Sequence, residues 1–445
     1  QKELQNKNAP IVNHKVSVSG GGKSSNYYLS FGYVDQEGIY AKGYSDYSRY
    51  NVRMKYNNTL FDIQTRNWLN KLTLGTTAHY TKSIFQGSTI SNSEAAGLIT
   101  SVNALPPTEP VYQTDPAILE QYAIMYPNHV LSPDGRAYNI VDMPGITNPI
   151  ASMQVNNNQR RTPQNFGANF NLTLDILPGL TFKTTYGADW VFNSVKKVVP
   201  VYELNATNKN TSSYVEDSKR SSNHWQWENI LTYNQKFGKH NIGAVVGTSM
   251  SSYSYSNLDA KDYELLVVDI DKAYINTATA PEENSSVSGG AYDHRIASVF
   301  GRVSYNYDEK YLIEAVVRRD GSSNFSRKHQ YAVFPSVSAG WVITREPWME
   351  GVRSWMNLAK LRISWGQNGN ERIGSFKYTS MMGQGKNAVI GGKVYTGMLP
   401  KGYANADLVW ETSEQIDLGM DFRFFNNALT FTVDYFKKYT KDMLM

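Results

Sequence analysis

The stretch NFGANFNLTLDI, Asn165–Ile176, alternates without a break. Asn165, Gly167, Asn169, Asn171, Thr173 and Asp175 share one parity, and Phe166, Ala168, Phe170, Leu172, Leu174 and Ile176 share the other. Successive side chains of a β-strand point to opposite faces, so this segment makes a strand with one apolar and one polar face. The pattern returns about a dozen times in segments of roughly ten residues, the length that spans a bilayer when tilted. Tyr50, Val52, Met54 and Tyr56 oppose Arg49, Asn51, Arg53 and Lys55. Ala297, Val299, Val303 and Tyr305 oppose Ser298, Arg302, Ser304 and Asn306, and Ile416, Leu418, Met420 and Phe422 oppose Gln415, Asp417, Gly419 and Asp421. The fold class read from this repetition is all-β, a transmembrane antiparallel barrel wall of about fourteen strands.

Composition agrees with that reading. Of 445 residues 41% are hydrophobic, yet no run of about eighteen apolar residues exists to make a membrane helix. Tyrosine (31) outnumbers phenylalanine (17) and tryptophan (9), which suits a protein meeting two membrane–water interfaces. The competing reading of this composition is a surface or soluble β-protein that binds carbohydrate on Tyr and Trp platforms. There is no cysteine, which removes disulfides, thiolate metal sites and a cysteine nucleophile. The net charge of +5 is small for the length and scattered, so nucleic acid is not an expected partner.

The connections fall into two classes that take turns, as short periplasmic turns and long outer loops do in membrane barrels. Short ones are Gly20–Asn26, Leu60–Trp68, Leu177–Leu180, Asn234–His240, Asn306–Tyr311 and Phe425–Ala428. Longer ones are Asp35–Asp46, Ile84–Arg160, Pro200–Ser218, Leu258–Gly289, Asp320–Gln330 and Gln367–Glu411, with Arg345–Asn357 a longer link on the short-turn side. The connection Ile84–Arg160 is too long to lack structure of its own, and Ser93–Leu105 reads as a short helix within it. With the long loops outside, the first and last strands (His14–Gly20 and Leu429–Tyr439) put both chain ends on the outer side. Gln1–Pro10 carries no apolar leader. The expectation is an internal portion of a larger barrel with unpaired edges at those two strands.

No constellation for catalysis emerges. Ser19-Gly20-Gly21-Gly22-Lys23-Ser24 lacks the first glycine of a phosphate loop and reads as a hairpin turn. Ser194-Val195-Lys196-Lys197 matches a Ser-x-x-Lys spacing without its partner motifs. Asp269 and Asp271 read as a solvated acidic loop, with calcium as the alternative. His294 beside Asp293 cannot pair with it, because neighbours in a strand point apart. Trp225 and Trp227 share parity with Leu231 and read as interface aromatics rather than sugar platforms. No catalytic, cofactor or metal residue is assigned.

Longer segments resemble a known family. Ser17–Gly21 followed by NYYLSFGYVDQEG (Asn26–Gly38) closely resembles the early barrel of SusC/RagA-type TonB-dependent outer-membrane transporters. DGSSNFSRKHQYAVFPSVSAGWVITREPW (Asp320–Trp348), LAKLRISWGQNGNERI (Leu358–Ile373) and WETSEQIDLGMDFRFFNNALTFTVDYFKKYTKDM (Trp410–Met443) look like later blocks in the same order. The resemblance covers nearly the whole chain. It implies a parent barrel of about 22 strands around a plug, with residues 1–445 forming part of the barrel domain. It also implies a SusD-like lipoprotein partner, oligosaccharide or peptide cargo, and energy from TonB. The plug and the TonB-contacting segment are missing from this chain, so energised transport belongs to the parent. The implied location is the bacterial outer membrane, the implied role is not enzymatic, and no cofactor is implied.

Overall fold

The computed structural model describes residues 4–444 apart from 40–42, 64–67, 88–97, 142, 144, 385–386 and 401. Fourteen strands form one antiparallel sheet in strict chain order. They are β1 (Ile11–Gly21), β2 (Ser25–Glu37), β3 (Ser45–Asp62), β4 (Lys71–Gly87), β5 (Gln159–Leu177), β6 (Leu180–Val199) and β7 (Tyr214–Phe237), then β8 (His240–Tyr263), β9 (Ser286–Tyr307), β10 (Tyr311–Ser322), β11 (Tyr331–Val342), β12 (Met356–Asn370), β13 (Glu411–Phe424) and β14 (Leu429–Lys441). Among the described residues β1 and β14 are the two edges. No described helix is long and apolar enough to cross a membrane.

Register decides what alternation on single strands leaves open, namely whether the apolar faces coincide. They do. Val18, Leu29, Met54, Ala78, Ala168, Ala188 and Trp225 are successive cross-strand partners. From Tyr233, on the same face of β7, the series continues through Ala244, Val303, Ala315, Val337, Trp365 and Ile416. A one-residue slip at any ladder would throw all later apolar side chains to the other face. Phe170, Leu172, Leu174, Val299 and Phe422 therefore share one face, and Arg53, Asn171, Arg302 and Asp421 share the other, as the alternation predicts.

The apolar face is exposed: Phe170, Val299, Val317 and Ile363 are 43–56% accessible. Aromatic residues edge it in two belts. Phe182, Tyr233, Tyr305 and Trp341 lie toward the short turns, and Trp190, Trp225, Trp227 and Tyr331 toward the long connections. At 3.3 Å per residue, Phe182 to Trp190 is roughly 26 Å of strand and Tyr331 to Trp341 about 33 Å. A tilt of about 40° reduces these to roughly 20–25 Å of height, the thickness of the apolar band of outer-membrane barrels. Trp190 stacks on Phe166 with ring centroids 5.5 Å apart. Trp227 gives its indole N–H to Thr184 Oγ1 at 3.0 Å, so the polar handle of the ring is satisfied.

The short turns are tight. Pro178-Gly179 closes β5 on β6 with Gly179 at φ +81°, a conformation that costs glycine nothing. Gly22-Lys23-Ser24 is likewise a plain hairpin turn, its Gly22 N–H donating to Ser25 O at 2.7 Å. The three register shifts, at Thr59/Phe61, Asp175/Leu177 and Met356/Leu358, all fall at short-turn ends, where bulges commonly end a ladder.

The strands outrun their expected limits on the long-connection side. β8 continues to Tyr263 and β7 begins at Tyr214, inside the segments expected to be loops at Leu258–Gly289 and Pro200–Ser218. Above the aromatic belt neither face meets hydrocarbon, so the apolar alternation that marks a strand disappears while the backbone ladder persists. The expected helix within Ser93–Leu105 is present as α1 (Leu98–Ala104), with residues 93–97 outside the described set. Two further helices, α2 (Pro116–Met125) and α3 (Pro149–Asn156), follow in the same connection.

Candidate functional site: the polar face and the folded connections

The polar face is a fabric of cross-strand ion pairs. Arg362 on β12 makes a two-point contact with Asp421 on β13 (2.7 and 3.0 Å) and reaches Asp434 on β14 at 2.9 Å. Arg302 on β9 pairs with Glu314 on β10 at 2.8 Å. Planar guanidinium groups suit such forked contacts, which fix orientation as well as charge. Arg302, Glu314 and Arg362 line a depression of about 530 Å³ with Asn234, Lys360 and Ser364. Higher on the same face Arg53, His79, Gly167, Asp189, His224, Tyr253 and His294 are successive register partners. Tyr255 and Tyr253 flank Tyr292, with ring centroids 5.3 and 5.8 Å from its own. The face is charged and hydroxyl-rich, suited to polar solutes and not to hydrocarbon.

The apolar cores of the molecule lie elsewhere, under the long connections. Leu4, Leu98 and Met153 form one, and Tyr138, Ala151, Val155 and Leu204 a second. Val198, Val215 and Ala273 form a third, and Phe325, Phe334 and Trp410 a fourth. All four sit at the long-connection ends of the strands. Local sequence explains the helices among them. Asp115 and Asn148 each precede a proline, and each caps its helix: Asp115 accepts from Ala117 N, and Asn148 from Ile150 N and Ala151 N. Proline at the first helical position lacks only a donor that would be unsatisfied anyway. Asn148 is buried and also donates to Val111 O at 2.8 Å, which ties the helix start to the preceding chain. Burial pushes the Tyr138 hydroxyl well above the usual tyrosine range, so it stays protonated and donates to Gln154 Oε1 at 2.9 Å.

The residues singled out in the sequence have plain fates here. Asp271 pairs with Arg160 at 2.7 Å, and that hydrogen bond holds its carboxyl below the usual range. Asp269 Oδ1 accepts from the N–H groups of Asp271 and Lys272. Among the described residues no three His, Asp or Glu side chains converge as a metal site would need. Ser194 accepts from Lys219 at 2.6 Å, while Lys197 points to the other face of β6. Asp293 lies 3.5 Å from Arg295. His294 instead meets Glu371, 3.0 Å away and 77 positions along the chain, a contact that only the order of strands reveals.

The sequence matches the family described as "TonB dependent receptor-like, beta-barrel" over residues 128–445. The chain belongs to the TonB-dependent receptor β-barrel family. Members of this family are outer-membrane receptors and transporters. TonB-dependent receptor P39 of Formosa agariphila is 30% identical over 437 residues, covering 96% of this chain and 37% of that protein. TonB-dependent receptor SusC of Bacteroides thetaiotaomicron is 23% identical, covering 98% of this chain and 42% of SusC. The chain thus spans about two-fifths of the length of the curated relatives it matches. Among solved structures, the RagAB peptide transporter superposes over the entire chain with a TM-score of 0.72 at 20% identity, covering 45% of its own chain. That likeness establishes the TonB-dependent barrel fold for the fourteen-stranded sheet.

Proposed function

We propose that this chain supplies wall and outer loops to an outer-membrane nutrient importer of the SusC/RagA type. In this reading the apolar face contacts lipid, the polar face lines the lumen, and TonB supplies energy through a plug. The long connections near 84–160, 258–289 and 367–411 face outward and meet a SusD-like lipoprotein and an incoming oligosaccharide or peptide. The observation that carries the reading is the placement of all four apolar cores beneath those connections. Loops built to be ordered on a rigid frame are built to recognise.

The connection after β12 supports a protein partner in particular. Within it Met382–Gln384 pairs with Met398–Pro400, and Ala388–Ile390 with Lys393–Tyr395. Val389, Ile390, Val394 and Met398 are 60–69% exposed. A lone two-stranded ribbon is marginal in water, and an exposed apolar patch marks a contact surface. From Ile373 to Ala406 the sequence holds Lys377, Lys386, Lys393 and Lys401 and no Asp or Glu. Its complement is an acidic, partly apolar surface.

The test is to replace 383–399 with a short glycine turn in the full-length protein, and separately to shorten 98–158 and 264–285. Co-purification of the lipoprotein and growth on single glycans or peptides are then measured. Loss of either with barrel assembly intact supports the reading, and the nutrient affected names the cargo. Unchanged partner recovery and growth in all three variants overturn it.

A further inference from the structure

Phe166, Trp190, Asn223 and Ser254 are successive register partners on the apolar face of β5–β8. In this row the outer aromatic belt crosses β6. The next row toward the long connections is Gln164, Phe192, Ser221 and Ser256. Beyond it lie Thr162, Ser194, Lys219 and Leu258. These two rows line a groove of about 270 Å³ on the same face as Phe170 and Leu172. At about 3.3 Å per residue and a tilt of roughly 40°, each row rises about 5 Å, which puts the groove roughly 5–10 Å beyond the belt. Lipid headgroups occupy that height, outside a hydrocarbon core of roughly 30 Å.

The groove mixes ring, hydroxyl and cation. Phe192 and Leu258 are each 52% exposed. Lys219 Nζ donates to Ser194 Oγ at 2.6 Å and lies 2.8 Å from Asp217, yet its side chain stays 57% exposed. Ser221 and Ser256 share one hydrogen bond at 2.8 Å, which leaves one of their two hydroxyl protons to give. Ser194 accepts from Lys219 and keeps its own proton for a ligand. In the row above, Arg160 is held by Asp271 at 2.7 Å. Lys196 lies 4.0 Å from the centroid of the Tyr274 ring and has no ion pair among the described residues. Three cations thus face two carboxylates, and the surplus charge is positive.

The geometry points to a binding site for the phosphorylated sugar headgroup of an outer-leaflet glycolipid. This rests on the reading that the apolar face meets lipid with the long connections outward. A sugar ring lays its C–H face on Phe192 and exchanges hydrogen bonds with Ser194, Ser221 and Ser256. Its phosphate takes up the surplus charge at Lys219 and Lys196. The acyl chains continue down the same face over Trp190 and Phe166, whose stacked rings open the apolar band. The groove is smaller than the roughly 300–1,000 Å³ of pockets for drug-sized ligands, so it takes one sugar unit and not an oligosaccharide. A phospholipid head would leave the row of hydroxyls idle, and free phosphate would leave Phe192 uncovered.

Native mass spectrometry of the delipidated full-length protein, titrated with diphosphoryl lipid A, reads the site. Phosphatidylglycerol, a phosphate without sugar, and galactosyl diacylglycerol, a sugar without phosphate, are the comparison probes. Lipid A is expected to bind about tenfold more tightly than either. Lys196→Gln with Lys219→Gln should cost lipid A about tenfold, the attraction of two cations for phosphate, and leave the galactosyl lipid unchanged. Ser221→Val with Ser256→Val should weaken both sugar lipids by about threefold and leave phosphatidylglycerol unchanged. Arg319→Gln, beside Val299 on the same face but outside the groove, should alter none of the three affinities. Equal affinity for lipid A and phosphatidylglycerol overturns the proposal, as does a lipid A affinity that survives both double variants. Quenching of the barrel tryptophans by brominated acyl chains in nanodiscs separates the two readings. Quenching without a preference for lipid A sinks the groove alone, and absence of quenching sinks the lipid-facing reading with it.

Discussion

His79 on β4 and Asp189 on β6 approach to 3.8 Å across a strand to which neither belongs. The residue between them is Gly167, register partner of both. A Cβ at that position would collide with His79 Cε1 and Asp189 Oδ1. Glycine is thus the gap through which two strands separated by a third exchange a side-chain contact.

Gly167→Val should part the two side chains. Both ends are flexible and about half exposed, so the rings and carboxylate rotate away and stability changes by no more than about 1 kcal/mol. A double-mutant cycle between His79→Gln and Asp189→Asn is expected to show a coupling of roughly 0.3–1 kcal/mol with glycine present. With valine present the coupling should vanish. Equal coupling in both backgrounds would mean that Gly167 does not set the contact.

Leu172 and Asn171 are neighbours in sequence and opposites in environment. Leu172 lies between Leu74 and Thr184 on the apolar face, and Asn171 between Gly75 and Thr185 on the polar one. Leu172→Arg should cost roughly 2–4 kcal/mol as a cation placed in hydrocarbon. Asn171→Arg should cost less than about 1 kcal/mol, because the new charge stays in water. Urea unfolding of the full-length barrel in lipid vesicles measures both, and equal costs would mean that the faces are misassigned.

Asn148→Ala should loosen the first long connection and spare the sheet. The substitution removes the α3 cap and the bonds to Val111 O and Asn139 O. Loss of such a cap costs about 1–2 kcal/mol, and the buried carbonyls left behind add to it. Limited proteolysis should show faster cleavage within 98–158 while the fragments of the sheet remain protected. Uniform acceleration across the chain would contradict a separately ordered connection.

Glu346 gives the short-turn side a pH dependence of predictable sign. Its carboxylate accepts from Tyr311 Oη at 2.6 Å and Trp341 Nε1 at 3.0 Å, with Lys310 Nζ at 3.7 Å. The Tyr311 bond first, then Trp341 and Lys310, hold it below the usual carboxylate range. Its contribution is therefore present above the ordinary glutamate range near pH 4.3 and is lost as pH falls through the lowered folded-state value. Glu346→Gln should abolish this part of the acid sensitivity. Tryptophan emission from Trp341 followed between pH 7 and 3 in both proteins is the check, and superimposable titrations would exclude the assignment.

How much of this was legible in sequence depends on which solvent a residue meets. Where one face meets hydrocarbon, as along Asn165–Ile176, composition alternates and the strand, its face and its place in the sheet can be read directly. Lys261, Asp262 and Tyr263 also lie in a strand, yet with hydrocarbon on neither face they carry no period, and the loop at Leu258–Gly289 was overestimated for that reason. Helix starts at Asp115-Pro116 and Asn148-Pro149 obey capping rules, but they stand inside a segment whose fold was expected only in outline. The His294–Glu371 contact was illegible because it depends on strand order and on where β12 ends. Neither leaves a mark near residue 294 or 371.

The gathering of the apolar cores at one rim of the sheet has a consequence for how variation plays out in this chain. Met153 and Val215 are almost wholly buried, yet neither packs between two layers of the wall. In most proteins a hole made at such a position is felt as lost assembly. Here Met153→Ala would leave the strand ladder untouched and disorder only the rim, so in the importer proposed above a lesion of the interior would be inherited as a change of diet.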